Sequence, residues 1–242
     1  MVYNRLWQRV TDTLYAPHCL LCGGRGSDRR DICAACAFEL PANTYCCDLC
    51  AVPLPEPTGV RHATTCGRCL RRRPKYRSAY AAFVYAPPLD HLVQCFKFGG
   101  RLEYGRLLGQ LLVERLAVQP SCPVDCLLPV PLHASRLRER GFNQALILAR
   151  TLSRAASIPV ARGLAKRNRA TPVQTKLNAS ERRRNVRAAF SVRGPVQGCR
   201  IALVDDVLTT GATVDELARL LLRGGAAEVH VWALARAQAP NR

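Results

Sequence analysis

Between Ile201 and Thr213 the chain reads Ile-Ala-Leu-Val-Asp-Asp-Val-Leu-Thr-Thr-Gly-Ala-Thr. The four leading apolar residues suit a buried strand, and two carboxylates, Asp205 and Asp206, emerge at its C-terminal edge. In open α/β sheets, ligands bind just beyond the carboxyl ends of strands. The next five residues, Thr209, Thr210, Gly211, Ala212 and Thr213, offer hydroxyls, free backbone N–H groups and a glycine that permits close approach. A helix starting here adds the positive end of its dipole, so the turn makes a phosphate cradle. Thr213 and Glu216 have the spacing of a capping box, which predicts where that helix begins. Two acids beside such a cradle need a partner that wants negative charge: sugar hydroxyls, a divalent cation, or both. An ordinary βα turn with solvated acids explains each fragment but not the ordered whole.

The second chemical signal lies near the N-terminus. Of 13 cysteines, nine precede residue 70, and eight of these form C-x-x-C pairs: Cys19 with Cys22, Cys33 with Cys36, Cys47 with Cys50, and Cys66 with Cys69. Two such pairs can close a tetrahedral Cys₄ zinc site, each gripping one edge from a tight turn. A segment with little apolar core gains its folding energy from such a metal. Redox dithiols are the competing reading. Neighbouring pairs give two zinc ions in the simplest arrangement, while an interleaved pairing stays open. Cys46 is adjacent to a ligand but out of phase, and Cys95, Cys122, Cys126 and Cys199 read as free thiols.

The elements that must position these groups change character near residue 75. We place a boundary between Pro74 and Ser78, giving a cysteine-rich unit over 1–76 and an α/β unit over 77–242. Downstream, Tyr80–Tyr85, Asp125–Val130, Ile158–Leu164, Arg200–Val204 and Glu228–Ala235 read as strands. Leu89–Phe96, Glu103–Leu116, Phe142–Ser153 and Val214–Arg223 read as helices, the second burying Leu107, Leu108, Leu111, Leu112 and Leu116. Such alternation means βαβ units and a mainly parallel sheet. Arg-rich residues after Val130 read as a loop. Lys166–Arg187 is polar and basic without a core face, and reads as a long mobile segment.

No apolar run approaches the roughly 18 residues of a membrane span. Met1–Tyr15 places Leu6, Trp7, Val10 and Leu14 at helical spacing with Arg5 and Arg9 between them, unlike a secretory signal. A cytoplasmic protein is therefore expected, in which clustered cysteines bind metal and do not form disulfides. The 36 basic against 17 acidic residues give a formal charge of +19, which attracts phosphorylated ligands, nucleic acid or an acidic partner. Arg68 with Arg71–Arg73 could meet a phosphate backbone, although Tyr76 is the one aromatic beside them. A solvated basic surface explains the same charge.

The Ile201–Thr213 segment resembles the phosphoribosyl pyrophosphate motif of type I phosphoribosyltransferases. The whole chain is similar to the ComF/GntX family, in which a double zinc ribbon precedes a domain of that fold. The resemblance includes Lys97-Phe98-Gly99-Gly100, Pro129-Val130-Pro131-Leu132-His133, Arg138-Glu139-Arg140-Gly141-Phe142-Asn143-Gln144, and Arg167, Thr171, Gln174, Leu177, Arg182, Asn185, Val186 and Phe190. It implies that Asp205 and Asp206 hold the ribose hydroxyls, directly or through water and Mg²⁺, and that Thr209 to Thr213 hold the 5′-phosphate. It makes Leu132–Arg140 a pyrophosphate loop, with backbone amides around Leu132 and His133 and the side chains of Arg136 or Arg140 meeting the leaving group. Lys97 becomes a further phosphate contact, and the segment carrying Arg167, Gln174, Arg182 and Asn185 a hood over the substrate. The implied role is in DNA uptake, as a transferase with an open acceptor. The alternative is a non-catalytic sensor of phosphoribosyl pyrophosphate or a protein that binds single-stranded DNA. Single-stranded DNA or a DNA-handling protein is the implied macromolecular partner. His91, His133 and His230 are candidate bases by type alone.

Overall fold

Apolar runs beyond residue 77 must be covered on both faces, and they build one parallel sheet. The computed structural model describes residues 17–56, 64–119, 122–169 and 189–238. The helix expected over Met1–Tyr15 and the hood positions Thr171, Gln174, Leu177, Arg182, Asn185 and Val186 lie outside these residues. The cysteine-rich part contributes two short helices, α1 (Ala34–Phe38) and α2 (Gly67–Arg71). Then come β1 (Ser78–Val84), α3 (Leu89–Phe98), α4 (Leu102–Ala117), β2 (Cys126–Pro129), α5 (Ala134–Arg140) and α6 (Gln144–Ala156). The chain continues with β3 (Ala165–Arg167), β4 (Phe190–Val192), β5 (Arg200–Leu208), α7 (Ala212–Arg223) and β6 (Glu228–Arg236).

The sheet order is β1-β6-β5-β2 with every pair parallel, while β3 and β4 form a separate antiparallel pair. Alternate residues of β5 face opposite sides. Ala202 and Val204 join a core with Leu107, Leu108, Leu112 and Leu148, whereas Ile201 and Leu203 join one with Val214, Leu217 and Leu221. Helices therefore cover both faces. Packing of α4 is close: a Cβ on Gly105 would stand 2.5 Å from Phe96 Cε2, and one on Gly109 2.8 Å from Thr151 Oγ1.

The cysteine-rich part is docked on this sheet. Cys19, Ile32 and Leu40 share the core of Leu107 and Leu108. Arg30 pairs with Glu114 of α4 at 2.7 Å, and Arg106 pairs with Asp31. Residues 41–43 run antiparallel along the edge of β1. There the Val84 N–H donates to Pro41 O (2.8 Å) and the Asn43 N–H to Ala82 O (3.2 Å). That pairing covers an edge that would otherwise expose its hydrogen-bonding groups.

Several sequence expectations need correction. Ile158–Leu164 is not a strand; Val160 alone makes a parallel bridge to Leu127, with Leu127 N–H donating to Pro159 O and Ala161 N–H to Leu127 O. Residues 134–140, expected as loop, are helix α5. Leu116 lies on the expected side of α4 and packs against the core of Leu107 and Leu108, but is only half-buried. The capping box does not form: α7 begins at Ala212 after Gly211, which caps it in the left-handed region at φ 74° without a side-chain bond. Glu216 turns instead to Arg219, with Nε and Nη2 donating at 2.8 and 2.6 Å.

Candidate functional site

Because β2 and β5 are parallel neighbours, the segments leaving their C-terminal ends lie on one edge of the sheet. One carries Pro131, Leu132 and His133; the other carries Thr209 to Thr213. Asp205 and Asp206 sit near the C-terminal end of strand β5, both only partly exposed. The Asp206 N–H donates to Asp205 Oδ1 (2.9 Å) and the Val207 N–H to Asp206 Oδ1 (2.7 Å). Lys97, at the end of α3, places its Nζ 3.0 Å from Asp206 Oδ2. Sequence reasoning gave Lys97 to a phosphate; the structure brings it to the acids. Burial, and then the charge of Asp206, push the Asp205 carboxyl up to about 8.

In the turn after β5, the Thr210 hydroxyl accepts from the Ala212 N–H at 3.4 Å. Thr209 is exposed, and Thr210, Gly211, Ala212 and Thr213 are half-buried at the N-terminal end of α7. Across the edge, His133 caps α5: its Nδ1 accepts from the Ser135 N–H (3.2 Å) and lies 2.7 Å from Ser135 Oγ. Arg136 and Arg140 thus stand one turn apart on a helix that ends at Gly141, φ 76°. The Arg140 guanidinium lies 5.3 Å over the Phe98 ring and donates to Gln144 Oε1 (3.2 Å). Burial first, and Arg140 second, lower the Arg136 guanidinium from its ordinary value; burial and then Arg136 do the same to Arg167, which the negative charge of Asp205 opposes. Arg167 lies on β3, over the Phe190 ring at 5.4 Å. Arg136 thus feels the charge of both Arg140 and Arg167, and Arg167 that of Asp205. Such a concentration of like charge favours a polyanion.

None of the three histidines is placed as an unencumbered base. His230 is buried, 2.9 Å from Ser78 Oγ and 3.2 Å from Glu228 Oε2, and His91 Nε2 lies 3.6 Å from Cys95 Sγ.

The eight cysteines form two groups, Cys19, Cys22, Cys33 and Cys36, then Cys47, Cys50, Cys66 and Cys69. The sulfurs of each group lie within 4.8 Å of one another. Pairing therefore follows sequence order, and the interleaved alternative is excluded. Zn–S bonds of about 2.3 Å in a tetrahedron place sulfurs roughly 3.8 Å apart. Cys22 and Cys33 stand at 3.8 Å and Cys50 and Cys66 at 3.7 Å, so each group fits zinc. Backbone N–H groups support the sulfurs: Cys36 N–H donates to Cys33 Sγ (3.4 Å) and Cys66 N–H to Cys47 Sγ (3.3 Å). Cys46 belongs to neither group.

Sequence reasoning missed Arg236. It ends the apolar strand β6 yet is 3% exposed. Its Nε donates to Cys50 O (2.9 Å) and its Nη1 to Leu208 O (2.8 Å), Ala237 O (2.9 Å) and Thr209 O. A charged residue closing a run of buried positions was the available signal.

Comparison with known proteins agrees with this architecture. The double zinc ribbon domain family matches residues 10–70, and the phosphoribosyl transferase domain family matches residues 139–241. The DNA utilization protein YhgH of Salmonella typhi is 38% identical over 85% of this chain and 90% of its own length. Competence protein F of Haemophilus influenzae is 35% identical over 90% of this chain and 96% of its own. Competence protein ComFC of Bacillus subtilis is 28% identical over 85% and 84%. No helix among the described residues is long and apolar enough to cross a membrane.

Proposed function

From the premise that this chain belongs to the family of YhgH and competence protein F, with a type I phosphoribosyltransferase-like fold behind a double zinc ribbon, we propose that it binds phosphoribosyl pyrophosphate and transfers its ribosyl phosphate. The observation that carries this reading is one strand, β5, delivering two carboxylates and a helix-starting turn to the sheet edge where β2 also ends, with Arg167 close enough to feel Asp205. In this reading Thr209 to Thr213 hold the 5′-phosphate through backbone N–H groups and hydroxyls. Asp205 and Asp206 take the ribose hydroxyls. Backbone at Leu132 and His133, with Arg136 and Arg140, meets the pyrophosphate. Lys97 balances Asp206 until ligand arrives. Arg167, with Gln174, Arg182 and Asn185 of the hood, closes over the donor and excludes water.

Carboxylate oxygens suit Mg²⁺, and Mg²⁺ bound with the donor would neutralise charge on the departing pyrophosphate. A nitrogen nucleophile forms a bond to ribose C1 while the C1–O bond to pyrophosphate breaks, the electron pair leaving with the oxygen. The nucleophile's proton passes to water or to the pyrophosphate. Asp205 and Asp206 stabilise the positive charge that builds on the sugar. The zinc ribbons are structural, and the unit boundary falls near residue 76. We place the protein in the cytoplasm, acting in DNA uptake or use alongside single-stranded DNA or a DNA-handling partner.

One observation favours a second reading. With His91, His133 and His230 all engaged, a sensor or DNA-binding protein that keeps the ligand pocket but lacks turnover also fits. Calorimetry with phosphoribosyl pyrophosphate and Mg²⁺, followed by an assay of pyrophosphate release with nucleobases and amines, separates the two. Binding with acceptor-dependent release supports the transferase. Binding without release, and DNA affinity that survives Asp205→Asn, supports the second. No binding to zinc-loaded protein overturns both uses of the site.

A further inference from the structure

Helix α2 belongs to the second zinc ribbon, yet it reaches the sheet's ligand edge. It is bracketed by the metal-binding Cys66 and Cys69, which fix the backbone on either side of Arg68. The Arg68 Nη2 atom lies 3.6 Å from the point where a Cβ on Gly211 would sit, and Tyr76 Oη lies 3.5 Å from the same point. Gly211 is the middle residue of the phosphate turn and the N-cap of α7. The juxtaposition is held from three sides. The Lys75 N–H donates to Asp215 Oδ1 in the first turn of α7 (2.6 Å). Arg236 joins Cys50 O, in the second cysteine group, to the carbonyls of Leu208 and Thr209. Buried Tyr76 packs with Ala51, Leu208 and Val214. Asp215, the acid nearest in sequence to the turn, is engaged by the Lys75 N–H. Among the described residues no carboxylate forms an ion pair with Arg68, and its side chain is exposed. A glycine is favoured here by the φ of 74°, and Arg68 and Tyr76 stand at van der Waals distance from its open side.

We propose that the second zinc ribbon is part of the substrate site, supplying Arg68 as a ligand to the 5′-phosphate held by Thr209–Thr213. This rests on the phosphoribosyl pyrophosphate reading above and adds to it a cation from outside the α/β unit. The cysteine group fixes the backbone, and the long side chain swings the guanidinium over the turn when the anion arrives. A guanidinium offers paired N–H donors that match phosphate oxygens. The ribbon thereby ties donor binding to the zinc-loaded state of the chain.

The test is calorimetry on the full, zinc-loaded chain with three probes: phosphoribosyl pyrophosphate with Mg²⁺, ribose 5-phosphate, and inorganic pyrophosphate with Mg²⁺. Zinc content and melting temperature are measured alongside. Arg68→Ala is expected to weaken the first two by roughly tenfold or more, as loss of a charged hydrogen bond does, and to leave inorganic pyrophosphate unchanged. Arg68→Lys, keeping charge without the fork, falls between. Arg154→Ala, at the last turn of α6, is the charge-matched control and binds like the parent. If the parent binds and both Arg68 variants match it, this inference alone is overturned. Equal weakening of all three probes also overturns it, since Arg68 would then act as diffuse charge. If the parent binds none of the probes, the underlying reading fails, and this inference with it.

Discussion

At Asp205 the sequence puts an acid where burial and a second acid oppose its charge. Its ordinary value is 3.8, and the folded chain raises it to about 8. Between those values the folded state holds a proton that the unfolded chain has lost, so stability falls as pH rises across the window and levels off above it. Asp205→Asn removes the titration. With residual solvent contact discounting the shift, we expect the variant to be more stable than the parent by about 1–3 kcal/mol at pH 8. The gap should widen from pH 6 to pH 8 and then stay constant. Urea unfolding in zinc at pH 6, 7, 8 and 9 measures this; work below pH 6 would protonate the zinc-binding cysteines. A gap of the same size at every pH would mean that Asp205 ionises normally. The same variant should lose donor affinity, a separation expected where a site stores unfavourable electrostatics for its ligand.

At the scale of elements, the phosphate turn is held by the strand beside it. Arg236 of β6 supplies donors to the Cys50, Leu208, Thr209 and Ala237 carbonyls. In Arg236→Met the Leu208 carbonyl keeps the Ala237 N–H as donor at 2.9 Å, but the Cys50, Thr209 and Ala237 carbonyls lose their Arg236 donor. We expect a loss of about 2–4 kcal/mol and faster hydrogen exchange at the Thr209–Thr213 amides. A destabilised variant whose turn exchanges at the parental rate would show that Arg236 serves the fold and not the turn. Sequence showed β5, β6 and α7 clearly, because unbroken apolar runs and a wide apolar helical stripe leave little choice of structure. It hid α5, whose only large apolar residue is Leu137, 43% exposed, so there is no stripe to read. Its ends were marked instead by His133, an unusual N-cap, and by Gly141. The Thr213–Glu216 spacing misled because the helix starts two residues earlier on a left-handed glycine, and Glu216 found Arg219. The β3–β4 pair could not be read, since Ala165–Arg167 joins Phe190–Val192 across a long intervening segment. Both four-cysteine groups were legible from spacing alone; their docking on the sheet was not.

For the whole molecule, the two zinc groups occupy different positions in one structure and should not be interchangeable. The first shares a core with α4 through Cys19, Ile32 and Leu40 and pairs Arg30 with Glu114. The second touches the phosphate turn through Arg236 and Arg68. Losing a cysteine from either group costs the zinc bound there and the folding energy that comes with it. Only the second should cost ligand affinity in protein that is still folded. We therefore expect Cys36→Ser to lower the melting temperature while leaving affinity for phosphoribosyl pyrophosphate within about twofold. Cys69→Ser should weaken that affinity roughly tenfold or more, at a temperature where both variants keep parental far-ultraviolet dichroism, since it releases both backbone anchors of the turn together. Zinc content by mass spectrometry should read one ion per chain in each variant and two in the parent. Equal affinities in the two variants would separate the ribbons from the ligand edge. A greater loss from Cys36→Ser would reverse the assignment, making α4 and not α2 the route by which metal reaches the site.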